Sequence, residues 1–231
     1  MNWAVLLLSM ALAACASAPP AHAPESLFND AMFDAASERI AAEDVFALSD
    51  AMRRFLNNDI ANELRTKGRH QGLVDALQHK GKLRLEYDST MTRNATQAFD
   101  ARSGNCLSLV IMTAALAKEL GVPVQYQTVF VDETWSRSGG IYFSSGHVNL
   151  TLGPRMTDSR FGFGYDARPS LTIDFLPPEE LRGQRAQSIA ENTIVAMYMN
   201  NRAAEHLAQG RLNDAYWWAR NAIAQAPTFL S

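Results

Sequence analysis

The chain of 231 residues has only two cysteines, Cys15 and Cys106. That is too few for a disulfide scaffold. It has no dense basic stripe, and 21 basic against 24 acidic residues leave a formal net charge of −3. Nucleic-acid binding by bulk charge is therefore not expected. Charged residues make up 19% and apolar residues 47%, which excludes a disordered chain. There is no Cys-x-x-Cys, no His-Glu-x-x-His and no EF-hand pattern, so no metal is expected. The Gly139-Gly140 and Gly162/Gly164 pairs lack the strand-to-helix context of a phosphate loop, and no cofactor is expected either.

Long apolar runs are also missing. Trp3–Ala14 is almost unbroken but spans 12 residues, short of the roughly 20 that cross a bilayer. That length suits the apolar region of a signal peptide. It ends Leu12-Ala13-Ala14-Cys15, which resembles a bacterial lipobox, where the cysteine thiol takes a diacylglycerol and cleavage falls just ahead of it. A plain signal peptide with an incidental cysteine is the alternative. With Ala16 rather than Asp next, the resemblance implies a lipid-anchored envelope protein at the outer membrane, facing the periplasm. The Pro/Ala/Ser-rich stretch that follows reads as a tether. The expected organisation is residues 1–14 signal peptide, 15–26 lipidated cysteine and tether, 27–180 main domain, and 181–231 a helical segment.

Val45, Leu48, Met52, Phe55, Leu56, Ile60 and Leu64 recur at helical spacing between about Ala41 and Arg65. Gln71–His79 predicts a second helix, Leu83–Tyr87 a short extended piece, and Thr92–Ala101 a third helix capped by Thr90 or Thr92. Cys106 opens a helix whose Leu107, Val110, Ile111, Ala114, Ala117 and Leu120 form one buried face. Gly121 and Pro123 stop it. Val124–Val131 and Gly146–Leu152 read as strands with a polar loop or a hairpin between them, and Leu171–Phe175 as a third strand. Gly153–Ser170 is a long loop. Glu179–Gln209 predicts one or two helices, and Gly210 turns the chain into a last helix that stops near Pro227. Helices and strands in runs, rather than in alternation, indicate an α+β fold.

A cysteine attacks as its thiolate, and a helix N-terminus and a nearby imidazole both favour that form. Cys106 stands at a helix start behind Gly104-Asn105, where backbone N–H groups could hold an oxyanion. Of His22, His70, His79, His147 and His206, only His147 lies in a strand soon after the cysteine helix. Strand parity supplies the acid. His147 and Asn149 share one face of their strand, and Thr172 and Asp174 share one face of theirs. If the two strands are neighbours with apolar faces together, His147 and Asp174 point to the same side. The candidate triad is Cys106, His147 and Asp174, with Asp158 and Asp166 as further candidates for the acid. Taken singly, each has a plainer role: a small core residue, a hydrogen-bonded strand histidine, a turn acceptor before Pro177-Pro178.

The segment Thr92-Arg93-Asn94-Ala95, then Ser103-Gly104-Asn105-Cys106-Leu107-Ser108-Leu109, then Ala114-Ala115-Leu116-Ala117 and Leu120-Gly121-Val122-Pro123-Val124, resembles the core of the transglutaminase-like superfamily. The resemblance runs from about Tyr87 to Pro177. It implies a papain-like α+β fold, with N-terminal helices and a cysteine helix packed on a small antiparallel sheet. It also implies thiol chemistry on amides, by hydrolysis or acyl transfer, with peptide or protein substrates. Val148-Asn149 after the histidine and Thr172-Ile173 before the acid depart from the family pattern, and both bear on substrate choice. Residues Asn201 to Pro227 resemble one tetratricopeptide repeat, with its small residues, turn glycine and closing proline. Either the repeat packs on the main domain, or it docks a protein partner, or the chain is shortened from a longer repeat protein, with Tyr216, Trp217 and Trp218 either core packing or partner surface. The rival expectation is a non-catalytic scaffold lipoprotein that keeps the same fold.

Overall fold

The computed structural model describes residues 25–78, 83–138, 141–154 and 170–229. The signal peptide, Cys15, His22, His79, Asp158 and Asp166 lie outside the described residues. So do parts of the tether and of the long loop after Gly153.

The helical spacing between Ala41 and Arg65 picks out buried residues but not one helix. Ala42–Asp44 is a 3-10 turn, and the chain then extends at Ser49. The Ser49 side chain accepts the Met52 N–H at 3.3 Å and caps helix α1, Asp50–Arg54. Phe55–Asp59 widens into a π turn, closed by Ile60 N–H on the Phe55 carbonyl at 3.1 Å. Helices α2 (Ala61–Lys67) and α3 (Arg69–Gln78) follow, separated by Gly68 at φ 84°. Val45, Met52, Phe55, Leu56 and Ile60 are all buried. The period therefore reports burial correctly, while capping and the wide turn break the helix.

Strand β1 is only Glu86–Tyr87. Helix α4 covers Ala95–Ala101 and is capped by neither Thr90 nor Thr92. Asn94 does this in a reciprocal pair with Gln97: each side chain takes the other's backbone N–H, at 2.9 and 3.1 Å. Strand β2, Ser103–Gly104, pairs parallel with β1, setting Tyr87 opposite Gly104.

Helix α5, Cys106–Glu119, is the centre of the molecule. The sequence predicts one buried face, yet every residue from Leu107 to Ala117 is buried. The polar-side positions are filled by Ser108, Met112, Thr113 and Ala115, small or apolar enough for neighbours to pack all round. Its end follows the predicted glycine stop. Gly121 takes φ 68°, its N–H reaches the Lys118 carbonyl, and Val122 N–H reaches that of Ala117, both at 2.9 Å.

The next two strands are longer than the sequence predicts. Strands β3 (Val124–Ser138) and β4 (Ile141–Leu152) form one antiparallel hairpin through the stretch read as a polar loop. Strand β5 is Leu171–Ile173, followed by the short helix α6, Pro178–Leu181. Strand β6, Arg185–Ile189, falls where a helix is expected. Its residues are almost all exposed, so no apolar alternation marks it, and its pairing with β3 alone makes it a strand. The antiparallel sheet has the order β5-β4-β3-β6. Helices α7 (Glu191–Ala208) and α8 (Leu212–Gln225) form a hairpin. At its turn Gly210 takes φ 74°, with Arg211 N–H on the His206 carbonyl at 3.0 Å. The fold is α+β. Ile194, Met199, Trp218 and Ala222 of the hairpin share the core with α5.

The row Tyr216, Trp217 and Trp218 divides. Trp218 is in the core. Tyr216 and Trp217 are met by the chain's own segment after the tether. Phe33 stacks on Tyr216 with ring centroids 3.8 Å apart, and the Trp217 indole N–H donates to the Asp34 carbonyl at 2.6 Å. Asp214 accepts from the Ser37 N–H and hydroxyl at 2.7 and 2.8 Å. This face of α8 is occupied from within.

Candidate active site

Cys106 is the first residue of α5, and the extended Asn105 before it is the cap. The Asn105 carboxamide oxygen accepts the Ser108 N–H at 2.9 Å and its hydroxyl at 2.8 Å. The first intrahelical bond is Leu109 N–H to the Asn105 carbonyl, at 3.0 Å. The N–H groups of Cys106 and Leu107 therefore have no acceptor within the helix and carry its positive pole beside the thiol. Cys106 is a free thiol and partly exposed.

His147 arrives from β4. Strands β4 and β5 are antiparallel neighbours, with Leu150 opposite Ile173 in the core. This is the adjacency that the parity argument requires. One step further along, His147 Nε2 stands 2.7 Å from Asp174 Oδ1. The Cys106 thiol lies close enough to the ring to raise its proton affinity, by hydrogen bonding and by charge. The structure thus brings Cys106, His147 and Asp174 together.

The ring and the carboxylate are both tuned. His147 is buried, which on its own disfavours a charged ring. Hydrogen bonds with Asp174 and Cys106, and their negative charges, outweigh burial and raise it from the ordinary 6.5 to about 9. For Asp174 burial also works against the charge. Hydrogen bonds from His147, the Leu176 N–H and Asn149 overcome it and hold the carboxyl below its ordinary range. The Leu176 N–H and Asn149 Nδ2 each lie 2.9 Å from the carboxylate. At neutral pH the His147 ring is therefore charged, and it donates a proton to Asp174.

Sequence reasoning missed two features here. Asn149 steadies Asp174; its signal was its place two residues after His147, on the same side of the strand. Tyr87 lies within electrostatic reach of the thiol. It is mostly exposed, and it sits opposite Gly104, two residues before Cys106. Partial burial and the charges of Cys106 and Glu180 push its phenol above the ordinary value. Nothing in the spacing of the chain marked it. Of the other histidines, His70 and His206 are buried away from the thiol, His206 against Glu38 at 2.7 Å. Among the described residues no cluster of three or more His, Cys, Asp or Glu is arranged to hold a metal ion.

A nucleophile at a helix start, an imidazole beside it and a carboxylate behind the imidazole can perform acyl transfer. Compared with protein-family models, with curated proteins and with solved structures, the chain finds no match in any of the three.

Proposed function

We propose that this protein is a thiol enzyme of the transglutaminase-like kind that acts on amide bonds of peptides or proteins. The observation that carries the reading is His147, bound to Asp174 at 2.7 Å and within electrostatic reach of the Cys106 thiol at the start of α5. Cys106 Sγ adds to the amide carbonyl carbon, and the carbonyl π electrons move onto oxygen. The Cys106 and Leu107 N–H groups receive that oxyanion. His147 gives its proton to the leaving nitrogen as the C–N bond breaks, which leaves a thioester on Cys106. Water, deprotonated by His147, then releases the acid and restores the thiol; an amine in its place would give transfer. Asp174 holds the ring in one tautomer and balances its charge throughout.

The setting belongs to the same proposal. A diacylglycerol on Cys15 holds the enzyme at the bacterial envelope, and the α7–α8 hairpin is of the tetratricopeptide kind.

The test needs no substrate. The full chain is treated with iodoacetamide at pH 6.5, and alkylation at Cys106 is followed by peptide mass spectrometry, which separates it from Cys15. The expected result is a rate that falls roughly tenfold or more in His147→Ala, since the imidazolium partner of the thiolate is gone. Equal rates in the two proteins would remove the catalytic reading and leave the scaffold.

A further inference from the structure

Besides the shared core and the Lys118–Glu191 ion pair, a polar route through one buried hydroxyl joins the α7–α8 hairpin to the first turn of the cysteine helix. Thr92 is 1% exposed and lies in the short link before α4. Its Oγ1 accepts the Asn105 carboxamide N–H at 3.0 Å and the Asn201 carboxamide N–H at 3.1 Å. The orientation of the Asn105 amide is fixed by chemistry. The Ser108 N–H can only donate, so the Asn105 atom facing it is oxygen and the atom facing Thr92 is nitrogen. Asn201 lies on α7. So does Glu205, whose Oε1 takes the Thr92 N–H at 2.6 Å. Arg202 Nη1 in turn pins Glu205 Oε2 at 2.6 Å. On the other side of the link, Arg93 N–H donates to Ser108 Oγ at 2.8 Å. Residues 92 and 93 are therefore bonded on one side to the first turn of α5 and on the other to α7.

These contacts matter because Asn105 is the residue immediately before Cys106. Turning the Asn105 amide would turn the cap and redirect the thiol relative to His147. A carboxamide with only the Ser108 contacts could pivot about them; the bond to Thr92 removes that freedom, and Asn201 and Glu205 hold Thr92.

We propose that Thr92 is a positioning residue for Cys106, and that Asn201 and Glu205 make the C-terminal hairpin part of the support of the thiol site rather than a separate docking module. The proposal rests on the thiol–imidazole reading above.

The experiment is a double-mutant cycle read by iodoacetamide alkylation of Cys106 in the full chain, at a temperature where circular dichroism shows every variant folded. Thr92→Val removes the hydroxyl and keeps the shape, while Thr92→Ser keeps the hydroxyl. The expected result is roughly tenfold slower alkylation in Thr92→Val, a loss in keeping with misaligned reacting groups, and a rate within about twofold of the parent in Thr92→Ser. In a His147→Ala background, Thr92→Val should change the rate by less than about twofold, because the alignment it protects is already gone. A merely structural Thr92 would slow both backgrounds alike, and that result overturns the proposal. So does an unchanged rate in Thr92→Val. If Thr92→Val does not fold, Asn201→Ala takes its place in the cycle, with the same dependence on His147 expected and the same outcomes counting against it. A His147→Ala rate equal to the parent's is a different failure: it removes the thiol–imidazole reading itself.

Discussion

Asp174→Asn isolates the charge behind His147. The substitution is nearly isosteric, and the structure has room for the exchanged amide. Asn149 Oδ1 is buried without a hydrogen-bond partner. If the Asn149 amide turns over, this oxygen accepts from the new carboxamide, while the retained oxygen still takes the Leu176 N–H. What is lost is the negative charge 2.7 Å from the ring. The rise of His147 from 6.5 to about 9 corresponds to roughly 3 kcal/mol in favour of the charged ring, net of burial. Asp174 and Cys106 supply all of it, and the Asp174 hydrogen bond is the stronger contribution. Removing the carboxylate should therefore lower the midpoint by at least about one pH unit. Cys106→Ala should lower it as well. The double variant, left with burial and a neutral amide acceptor, should titrate below either single variant.

The assay is NMR of the histidine Cε1 protons against pH, with His147 assigned by its disappearance in His147→Gln. A parent midpoint near 6.5 would refute the reasoning, as would an Asp174→Asn midpoint equal to the parent's. Stability carries the same sign. The folded value lies above the unfolded one, so the contribution of His147 is complete below pH 6.5 and is lost as pH rises through about 9. Chemical denaturation at pH 6 and pH 9.5 should show that loss shrink in Asp174→Asn.

Three further outcomes follow from packing. Gly104→Ala would put a Cβ 2.6 Å from Ser108 Cβ, and Ser108 is held by hydrogen bonds to Asn105 and Arg93; a loss of about 1–3 kcal/mol is expected in urea titration, with slower Cys106 alkylation. Leu116→Ala, in the fully buried middle of α5, should cost about 2–5 kcal/mol by the same measurement. Asp214→Ala leaves the Ser37 N–H and hydroxyl without their acceptor and should open the segment lying along α8; limited proteolysis should then cut ahead of Ile40 sooner than in the parent, and equal cutting times would show that the stacked Phe33 and Tyr216 suffice.

The parts of this molecule that the sequence makes legible are those with local chemistry or a short period. A helix beginning at Cys106 follows from a capping amide before it and a left-handed glycine after it, both written within a few residues of the helix ends. The meeting of His147 with Asp174 follows from the period of two in β4 and β5, given that the strands are neighbours. What escaped has no period. Strand β6 is polar throughout and owes its conformation to backbone pairing with β3. The segment along α8 joins residues 177 to 190 positions apart through carboxylates, indoles and a phenol, which look like ordinary surface when read in order.

The same distinction separates the proposed reacting groups from the groups that hold them. Cys106 and His147 are scarce residue types in telling places, and a reader can find them. Thr92, Asn105, Asn149 and Asn201 are common types whose work depends on which way an amide or hydroxyl faces. That direction is set by a partner up to 109 residues away. A transferred motif would therefore carry the nucleophile and the base without the bonds that aim them. It follows that a fragment ending before α7 should keep Cys106 and His147 yet lose Asn201 and Glu205, the apolar cover from Ile194 and Met199, and with them both the fold and the aim of the thiol.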